Sequence, residues 1–204
     1  VVTEMEGGQL CVSTGLKSLD DAMQGGIYTR KSYCIAARPK NGKTMCLSTI
    51  SYNLSKQGIG HYFIAAEMGG NEIHQRNLAR DAGENAIAFI RKTKDKEFSD
   101  SIMRTIGDQP KDCYYVDAPG ITFSELRRAV RNGVKNHGIK GFVLDYLQLV
   151  KGKANKQSDA EFQGEVAQWI ADVCRAESIW CVYAAQLNRE GEVRGSDGAV
   201  MAAD

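Results

Sequence analysis

The stretch ARPKNGKT, from Ala37 to Thr44, decides the fold class of this chain. It begins at the last residue of an apolar run, SYCIAA (Ser32–Ala37), and leads into a segment with helical periodicity. Its last three residues match the end of the pattern G-x-x-x-x-G-K-[ST], in which a loop between a strand and a helix presents backbone N–H groups to phosphates. The first position is Ala37 instead of glycine. Because that position closes the strand and carries no charge to a phosphate, we predict that the loop still works.

The polar groups of this loop have expected partners on a nucleotide. Lys43 is expected to reach the β- and γ-phosphates, and the Thr44 hydroxyl is expected to hold Mg²⁺. The start of the following helix adds partial positive charge. The residues predicted to contact the nucleotide are Arg38, Pro39, Lys40, Asn41, Gly42, Lys43 and Thr44. The alternative is a chance Gly-Lys-Thr in a strand-to-helix turn, and the motifs in the rest of the chain decide between the two interpretations.

Apolar, strand-like runs alternate with helical segments along the chain. Strands are predicted at Ser32–Ala37, His61–Ala66, Cys113–Asp117, Gly141–Tyr146 and Trp180–Ala185. Helices are predicted at Lys43–Gln57, Asn71–Asp81, Glu97–Gly107, Thr122–His137 and Ser158–Glu177. The last two helices open with the capping-box spacings Thr122-x-x-Glu125 and Ser158-x-x-Glu161. Since each helical segment can cross back over a sheet, we predict an α/β fold with a mostly parallel central sheet flanked by helices.

Length and composition limit the class of protein. With 204 residues, 43% of them apolar, the chain has the size of one large domain, and we expect a single domain over residues 1–204. No apolar run approaches the roughly 18 residues needed to cross a bilayer, and the start lacks the plan of a signal peptide. Six cysteines without a C-x-x-C pair predict free thiols in a reducing, cytoplasmic compartment. The net charge of +1 means that any nucleic-acid contact must come from a local patch.

Three polar residues stand where predicted strands end. Asp145 closes the apolar run FVLD, Glu67 follows HYFIAA, and Gln186 follows the last strand. The carboxyl ends of parallel strands line the ligand crevice of an open sheet, so these side chains should meet the Lys43 loop there. Their expected roles are holding Mg²⁺ for Asp145, orienting or activating water for Glu67 and sensing the γ-phosphate for Gln186. An alternative stays open for each residue: Asp145 could cap the following loop, Glu67 could be a solvated carboxylate, and Gln186 could be a turn residue.

Five segments together resemble one family. They are TGLKSLDDAMQGG (Thr14–Gly26), ARPKNGKT (Ala37–Thr44), AEMGGNEIHQRNLA (Ala66–Ala79), LDYLQLV (Leu144–Val150) and AAQLNR (Ala184–Arg189). In this order and spacing they resemble the RecA-like motor domain of DnaB-type replicative helicases, over nearly the whole chain. LDYLQL and QLNR are more specific to that family than a phosphate-loop pattern. In that family the loop commonly begins with Ala and continues Arg-Pro, as it does here.

The resemblance implies an activity and a set of partners. It implies an ATP-dependent helicase that uses ATP and Mg²⁺ to move on single-stranded DNA as a ring-shaped homo-oligomer, a hexamer. Asp145 is then the Mg²⁺-associated acid, Glu67 the catalytic carboxylate and Gln186 the γ-phosphate sensor, while Arg76 takes the family's basic position after the catalytic Glu. Primase or a helicase loader is an expected partner. The protein is expected in the cytoplasm, as a cellular protein or a phage protein in its host, without membrane contact.

Two lysine- and arginine-bearing loops are the expected DNA contacts. They are KGKANK (Lys151–Lys156) and REGEVR (Arg189–Arg194), which match family loops at the inner wall of the ring. The candidate residues are Lys151, Lys153, Lys156, Arg189 and Arg194. A solvated surface loop is the alternative for each. A further basic set on the Thr122 helix, Arg127, Arg128, Arg131 and Lys135, is interpreted as an exposed helix face or part of a subunit contact.

The chain also departs from the family pattern. By the resemblance, we expect residues 1–204 to lack the family's N-terminal helical domain, and we expect the DNA loop, further strands and arginine finger that follow QLNR in the family to fall after Asp204. We therefore expect this chain by itself to bind nucleotide and to hydrolyse it slowly. Two other functions stay open: a clock-type or signalling ATPase, although Glu67 follows Ala66 and not a second acid, and a recombination or loading factor that uses ATP only as an assembly switch.

Overall fold

The computed structural model describes residues 2–4, 8–92, 94–105, 112–152, 154 and 157–188. Its elements are β1 (Val2–Glu4), β2 (Leu10–Val12), α1 (Lys17–Ala22), β3 (Ile27–Tyr28), β4 (Ser32–Ala37), α2 (Lys43–Lys56), β5 (His61–Ala65), α3 (Gly70–Asp81), α4 (Ala86–Lys92), α5 (Lys96–Thr105), β6 (Cys113–Asp117), α6 (Phe123–Asn132), β7 (Gly141–Asp145), α7 (Asp159–Glu177) and β8 (Trp180–Gln186). A π-helical turn, Gly133–His137, continues α6, and a short 3₁₀ helix, Leu147–Leu149, follows β7. Among these helices, none combines the length and apolar character required to cross a membrane.

Five parallel strands form the main sheet, in the order β4-β8-β7-β5-β6. This confirms the predicted α/β fold and all five predicted strands, with bounds that differ by at most one residue. β5 and β7 each end one residue earlier than predicted, because Ala65 and Asp145 are their last paired residues. β8 ends one residue later, because Gln186 still pairs with Ala37.

Both faces of this sheet are buried, as its unbroken apolar strands predict. On one face, Phe142 and Leu144 of β7 join a core that includes buried residues of α6 and α7. On the other face, Val143 joins a core with Leu47 and Ile50 of α2. Successive side chains of a strand point to opposite faces, so a single run supplies both cores. The sheet is thereby held rigidly between two helical layers.

Both predicted capping boxes are present. Thr122 accepts a hydrogen bond from the Glu125 backbone N–H (3.3 Å), and its own N–H donates to the Glu125 carboxylate (2.8 Å). The same reciprocal pair joins Ser158 and Glu161, at 3.2 and 2.7 Å. α6 does not continue to His137 as a regular helix, because the last turn is a π-helical one. There Gly133 lies so close to Tyr62 and Ile139 that a Cβ would clash with both.

Three features were not predicted. A small antiparallel sheet, β1-β2-β3, precedes the main sheet, and its strands of two or three residues are too short for a periodic pattern. The short helices α1 and α4 were also missed. α4 and α5 pack with α3 around a separate cluster that includes Leu78, Phe89 and Phe98.

Candidate functional site

The loop between β4 and α2 has the backbone form of an anion-binding turn. Residues 38–42 are exposed, and both Lys40 (φ 64°) and Gly42 (φ 80°) adopt left-handed conformations. Gly42 is the N-cap of α2 and supplies no side chain to the first N–H groups of the helix. Successive backbone N–H groups in such turns form a concave donor site, and the helix start favours negative charge. The predicted phosphate loop thus has a suitable shape.

The Lys43 side chain folds back over this loop. Its Nζ donates to the backbone oxygens of Ala37 (3.2 Å) and Arg38 (3.3 Å). Its ammonium also lies 5.9 Å from the centre of the Tyr146 ring, on the segment that follows β7. Because both acceptors are neutral carbonyl oxygens, the Lys43 ammonium keeps its positive charge available for an anion such as a phosphate. Lys43 therefore stands between the ends of β4 and β7.

Asp145, the last residue of β7, is buried, with a relative exposure of 1%. Neither of its carboxylate oxygens has a hydrogen-bond partner among the residues that the structure describes. Burial raises the pKa of Asp145; the nearby Thr44 hydroxyl and the Lys43 ammonium oppose this effect, and the Glu67 charge adds to it. A buried carboxylate without partners is unfavourable unless a cation compensates it. The surroundings of Asp145 thus contain all three side chains expected around it.

This donor set fits a magnesium ion. Mg²⁺ binds oxygen ligands, commonly one or two from the protein together with water and substrate phosphates. The hydroxyl of Thr44 and the carboxylate of Asp145, which lie near each other, would supply two such ligands. In the described part of the chain, no group of three or more His, Cys, Asp or Glu residues could hold a metal by itself. An ion here would therefore depend on nucleotide phosphates and water for its other ligands.

Glu67 lies two residues beyond β5, at the same edge of the sheet. The N–H of Ala66 donates to the Asp145 carbonyl (2.9 Å), which extends the contact between β5 and β7 by one residue. Glu67 itself is exposed, and its charge is close enough to raise the pKa of Asp145. The chain then enters α3, whose first N–H, that of Gly70, donates to the Asp117 carboxylate. A water-activating carboxylate requires this combination of access and proximity.

Gln186 lies on the strand next to the phosphate loop. It pairs with Ala37, and the following N–H, that of Leu187, donates to the Ala37 carbonyl (3.1 Å). The side-chain amide of Gln148 accepts from the Gln186 N–H (3.2 Å) and donates to its carbonyl (3.4 Å). Sequence reasoning missed this contact and the one from Asp117. In each contact the two residues lie far apart in the sequence, so no local spacing indicates them.

The predicted DNA contacts are only partly described. Lys151 is exposed, and its backbone pairs with the start of α6: its N–H donates to Ile121 O (2.8 Å) and its carbonyl accepts from Phe123 N–H (2.8 Å). The remaining candidates, Lys153, Lys156, Arg189 and Arg194, lie outside the described residues. Arg76, on α3, forms an ion pair with Glu72 at 2.8 Å.

Comparison with known proteins gives the family. A family model described as the DnaB-like helicase C terminal domain matches residues 11–203. Replicative DNA helicase DnaB of Leifsonia xyli subsp. xyli (strain CTCB07) is 28% identical over 193 residues, which cover 93% of this chain and 42% of that protein. Replicative DNA helicase DnaC of Bacillus subtilis (strain 168) is 25% identical over the same shares of each chain. The chain thus spans less than half the length of these curated relatives.

Solved structures agree on the fold. One, described as an ATPase domain, superposes with a TM-score of 0.79 at 23% identity, covering 95% of this chain and 73% of that one. Another, of a DnaB-like replicative helicase and its interactions with primase, gives a TM-score of 0.79 at 22% identity and covers 95% and 50%. The predicted RecA-like fold and the resemblance found in the sequence are both confirmed. Because the family match extends over nearly the whole sequence, this chain belongs to the family of DnaB-like helicase C-terminal domains.

Proposed function

We propose that this chain is the ATP-hydrolysing motor of a replicative DNA helicase, which moves on single-stranded DNA as a hexameric ring. The observation that carries the proposal is the buried Asp145, whose carboxylate has no hydrogen-bond partner in the described part of the chain. It lies near Lys43 and Thr44, which end the predicted phosphate loop and begin α2, and near Glu67. A merely structural strand end would not place a buried carboxylate without hydrogen bonds there. Family membership supports the same function.

Each residue of the site has a role in this proposal. Residues 38–44 bind the triphosphate, through backbone N–H groups and the Lys43 ammonium. Thr44 and Asp145 would hold Mg²⁺, which would supply positive charge to stabilise the negative charge of the triphosphate. Glu67 orients the attacking water and accepts its proton. Gln186 contacts the γ-phosphate and changes position when that group is lost.

The DNA contacts proposed for this function are the basic loops. Lys151, Lys153, Lys156, Arg189 and Arg194 would neutralise backbone phosphates without reading bases. The near-neutral chain offers no global attraction, so these local charges would have to supply the affinity. Primase or a helicase loader is proposed as a protein partner of the assembled ring. The site of action proposed is the cytoplasm, and this chain is proposed to form one domain of the whole protein.

The direct test measures ATP hydrolysis by the full-length protein with and without single-stranded DNA. DNA is expected to raise the rate, Lys43→Ala to abolish hydrolysis, and Glu67→Gln to lower it at least about 100-fold while nucleotide still binds. Lys56→Ala is the matched control, because Lys56 ends the same helix and pairs with Asp81 at 3.3 Å, away from the loop. One rate of hydrolysis with and without DNA, over a range of salt concentrations, would contradict the proposal.

A further inference from the structure

The segment that carries Glu67 is fixed at its first end by the sheet. Ala65 is the last residue of β5 and pairs with Asp145 on one side and Asp117 on the other. Backbone bonds from Ala66 N–H to Asp145 O (2.9 Å) and from Ala118 N–H to Ala65 O (3.0 Å) close the two ladders. The position of the chain at Ala66 is therefore set by two neighbouring strands.

The second end of the segment is fixed by Asp117. The helix α3 begins at Gly70, and its N-cap, Gly69, has no side chain with which to cap it. The Asp117 carboxylate, at the end of the edge strand β6, accepts the Gly70 N–H instead. A carboxylate at a helix N-terminus satisfies an otherwise unpaired donor and interacts favourably with the helix dipole. The cap of α3 thus comes from another strand of the sheet.

Close packing makes this contact specific to glycine. A Cβ on Gly70 would lie 2.8 Å from the Tyr115 Cβ and 3.0 Å from the Asp117 carboxylate. The Tyr115 hydroxyl accepts from the Asn77 side chain (2.9 Å), which in turn accepts from Ser48 of α2 (3.1 Å). β6 therefore holds α3 at its first residue and again two turns later. Between the fixed ends lie only residues 67–69.

From this geometry we infer that Asp117 is a positioning residue for Glu67. Its hydrogen bond fixes the start of α3, and the short segment 67–69 then holds the Glu67 carboxylate at the edge of the sheet. The inference rests on the proposed function, since it gives Glu67 its catalytic role. Asp117 acts through the backbone and is not a catalytic residue. Its own side chain is exposed at the sheet edge, so its replacement leaves both cores intact.

The kinetic test uses the full-length protein and two substitutions. Asp117→Ala removes the acceptor and is expected to lower kcat roughly 10- to 100-fold, with the KM for ATP unchanged, because the phosphate loop is untouched. Asp117→Asn keeps an oxygen acceptor and should retain most of the rate. In a Glu67→Gln background, Asp117→Ala should cause no further loss. An unchanged kcat, or an equal loss in both backgrounds, would overturn the inference.

A matched control and a second readout separate positioning from general destabilisation. Asp20, in α1, also accepts a backbone N–H: that of Thr14, in the loop before this helix, at 2.8 Å. Asp20→Ala should therefore lower stability and leave kcat unchanged. Amide hydrogen exchange should accelerate over residues 67–72 in Asp117→Ala and over residues 13–16 in Asp20→Ala. Unchanged exchange over residues 67–72 would likewise overturn the inference.

The two proposals fail in distinguishable ways. A wild-type protein that hydrolyses no ATP would contradict the proposed function, and Asp117 could then have no role in positioning a catalytic Glu67. A wild-type protein that hydrolyses ATP only as fast as Asp117→Ala would contradict the positioning role of Asp117 alone. In the first case amide exchange still decides whether Asp117 holds the start of α3.

Discussion

A buried carboxylate without a partner destabilises the folded state whenever it is ionised. Asp145 is such a group within the described part of the chain, and burial raises its pKa above the ordinary value of 3.8. The unfolded chain therefore loses this proton at a lower pH than the folded chain. The stability that the protonated form provides is complete below about pH 3.8 and is lost as pH rises through the higher, folded-state pKa. Ionised Asp145 therefore lowers the free energy of unfolding, and the ionised form is the one that can bind a cation.

Asp145→Asn is accordingly expected to stabilise the protein when no Mg²⁺ is present. At pH 8 in a chelator, we expect its free energy of unfolding to exceed that of the wild type by about 1 kcal/mol. Mg²⁺ with nucleotide should then stabilise the wild type and not the variant. Urea denaturation with and without Mg²⁺ measures both effects. Asp20→Asn is the control, because its carboxylate is paired and its replacement should destabilise; a destabilised Asp145→Asn would contradict the expectation.

Because His61, at the start of β5, has a buried ring, we expect the protein to lose stability in acid. Its ring is buried between the Ile59 carbonyl, 2.7 Å from Nδ1, and the Ser51 hydroxyl, 2.7 Å from Nε2. A neutral ring that donates from Nδ1 and accepts at Nε2 satisfies both contacts. Burial lowers the pKa of His61 from 6.5 to about 4. The unfolded chain binds the proton first as pH falls, so the stability present above pH 6.5 is lost between pH 6.5 and 4.

The free energy of unfolding is therefore expected to fall by up to about 1.4 kcal/mol per pH unit over that window from His61 alone. His61→Gln should be less stable than the wild type at pH 7 and should lose less of its stability on acidification. Urea denaturation at half-unit pH steps measures the slope. His74→Gln, at an exposed position on α3, should keep the wild-type slope. A wild-type slope in His61→Gln would show that other groups cause the acid sensitivity.

At the scale of single elements, α7 offers a separable test of local sequence signals. Its capping box is complete, and its apolar stripe of Phe162, Val166 and Ile170 is buried. Ser158→Ala removes the acceptor for the Glu161 N–H and should lower the free energy of unfolding by about 1 kcal/mol. Ser158→Thr keeps the hydroxyl and should lose much less. Equal losses in the two variants, measured by urea denaturation, would show that the cap contributes little.

The elements also show what the sequence can and cannot predict. The five strands of the main sheet follow from their apolar runs, and the caps at Thr122 and Ser158 follow from a local spacing that the structure reproduces. The antiparallel pairing of Val12 with Ile27 leaves no such pattern, because two paired residues cannot show a period. The π-helical turn depends on how Gly133 packs against Tyr62, which is far away in sequence.

The candidate site divides in the same way. Lys43, Thr44, Asp145 and Glu67 could be predicted as neighbours, because strand ends in a parallel sheet share one edge. Asp117 and Gln148 could not, because each contacts the backbone of a residue 47 or 38 positions away in the sequence, and a backbone contact leaves no preferred residue type at the partner position. Positioning contacts of this kind belong to the tertiary structure alone.

For the whole molecule, Lys151 gives the first test of how DNA is bound. If it neutralises one phosphate per subunit, Lys151→Ala should weaken binding of single-stranded DNA for every sequence tested. The slope of log affinity against log salt concentration should shrink by about 0.7 to 1 for each phosphate that is no longer neutralised. Lys135→Ala, at an exposed position in the π-helical turn that continues α6, should leave the slope unchanged. Titrations from 50 to 200 mM salt, about the range over which such slopes are measured, would detect the difference; equal slopes in all three proteins would exclude Lys151.

Assembly and turnover are distinct properties of the whole protein, and Glu67→Gln separates them. Lys43, Thr44 and Asp145 remain in this variant, so nucleotide binding and ring formation should match the wild type in sedimentation velocity. Hydrolysis should fall at least about 100-fold, because the water loses its base. DNA unwinding must fall with it if hydrolysis drives movement. A Glu67→Gln protein that assembles and still performs its function would identify ATP as an assembly switch, since a switch requires only that the nucleotide bind, whereas a motor requires that it be consumed.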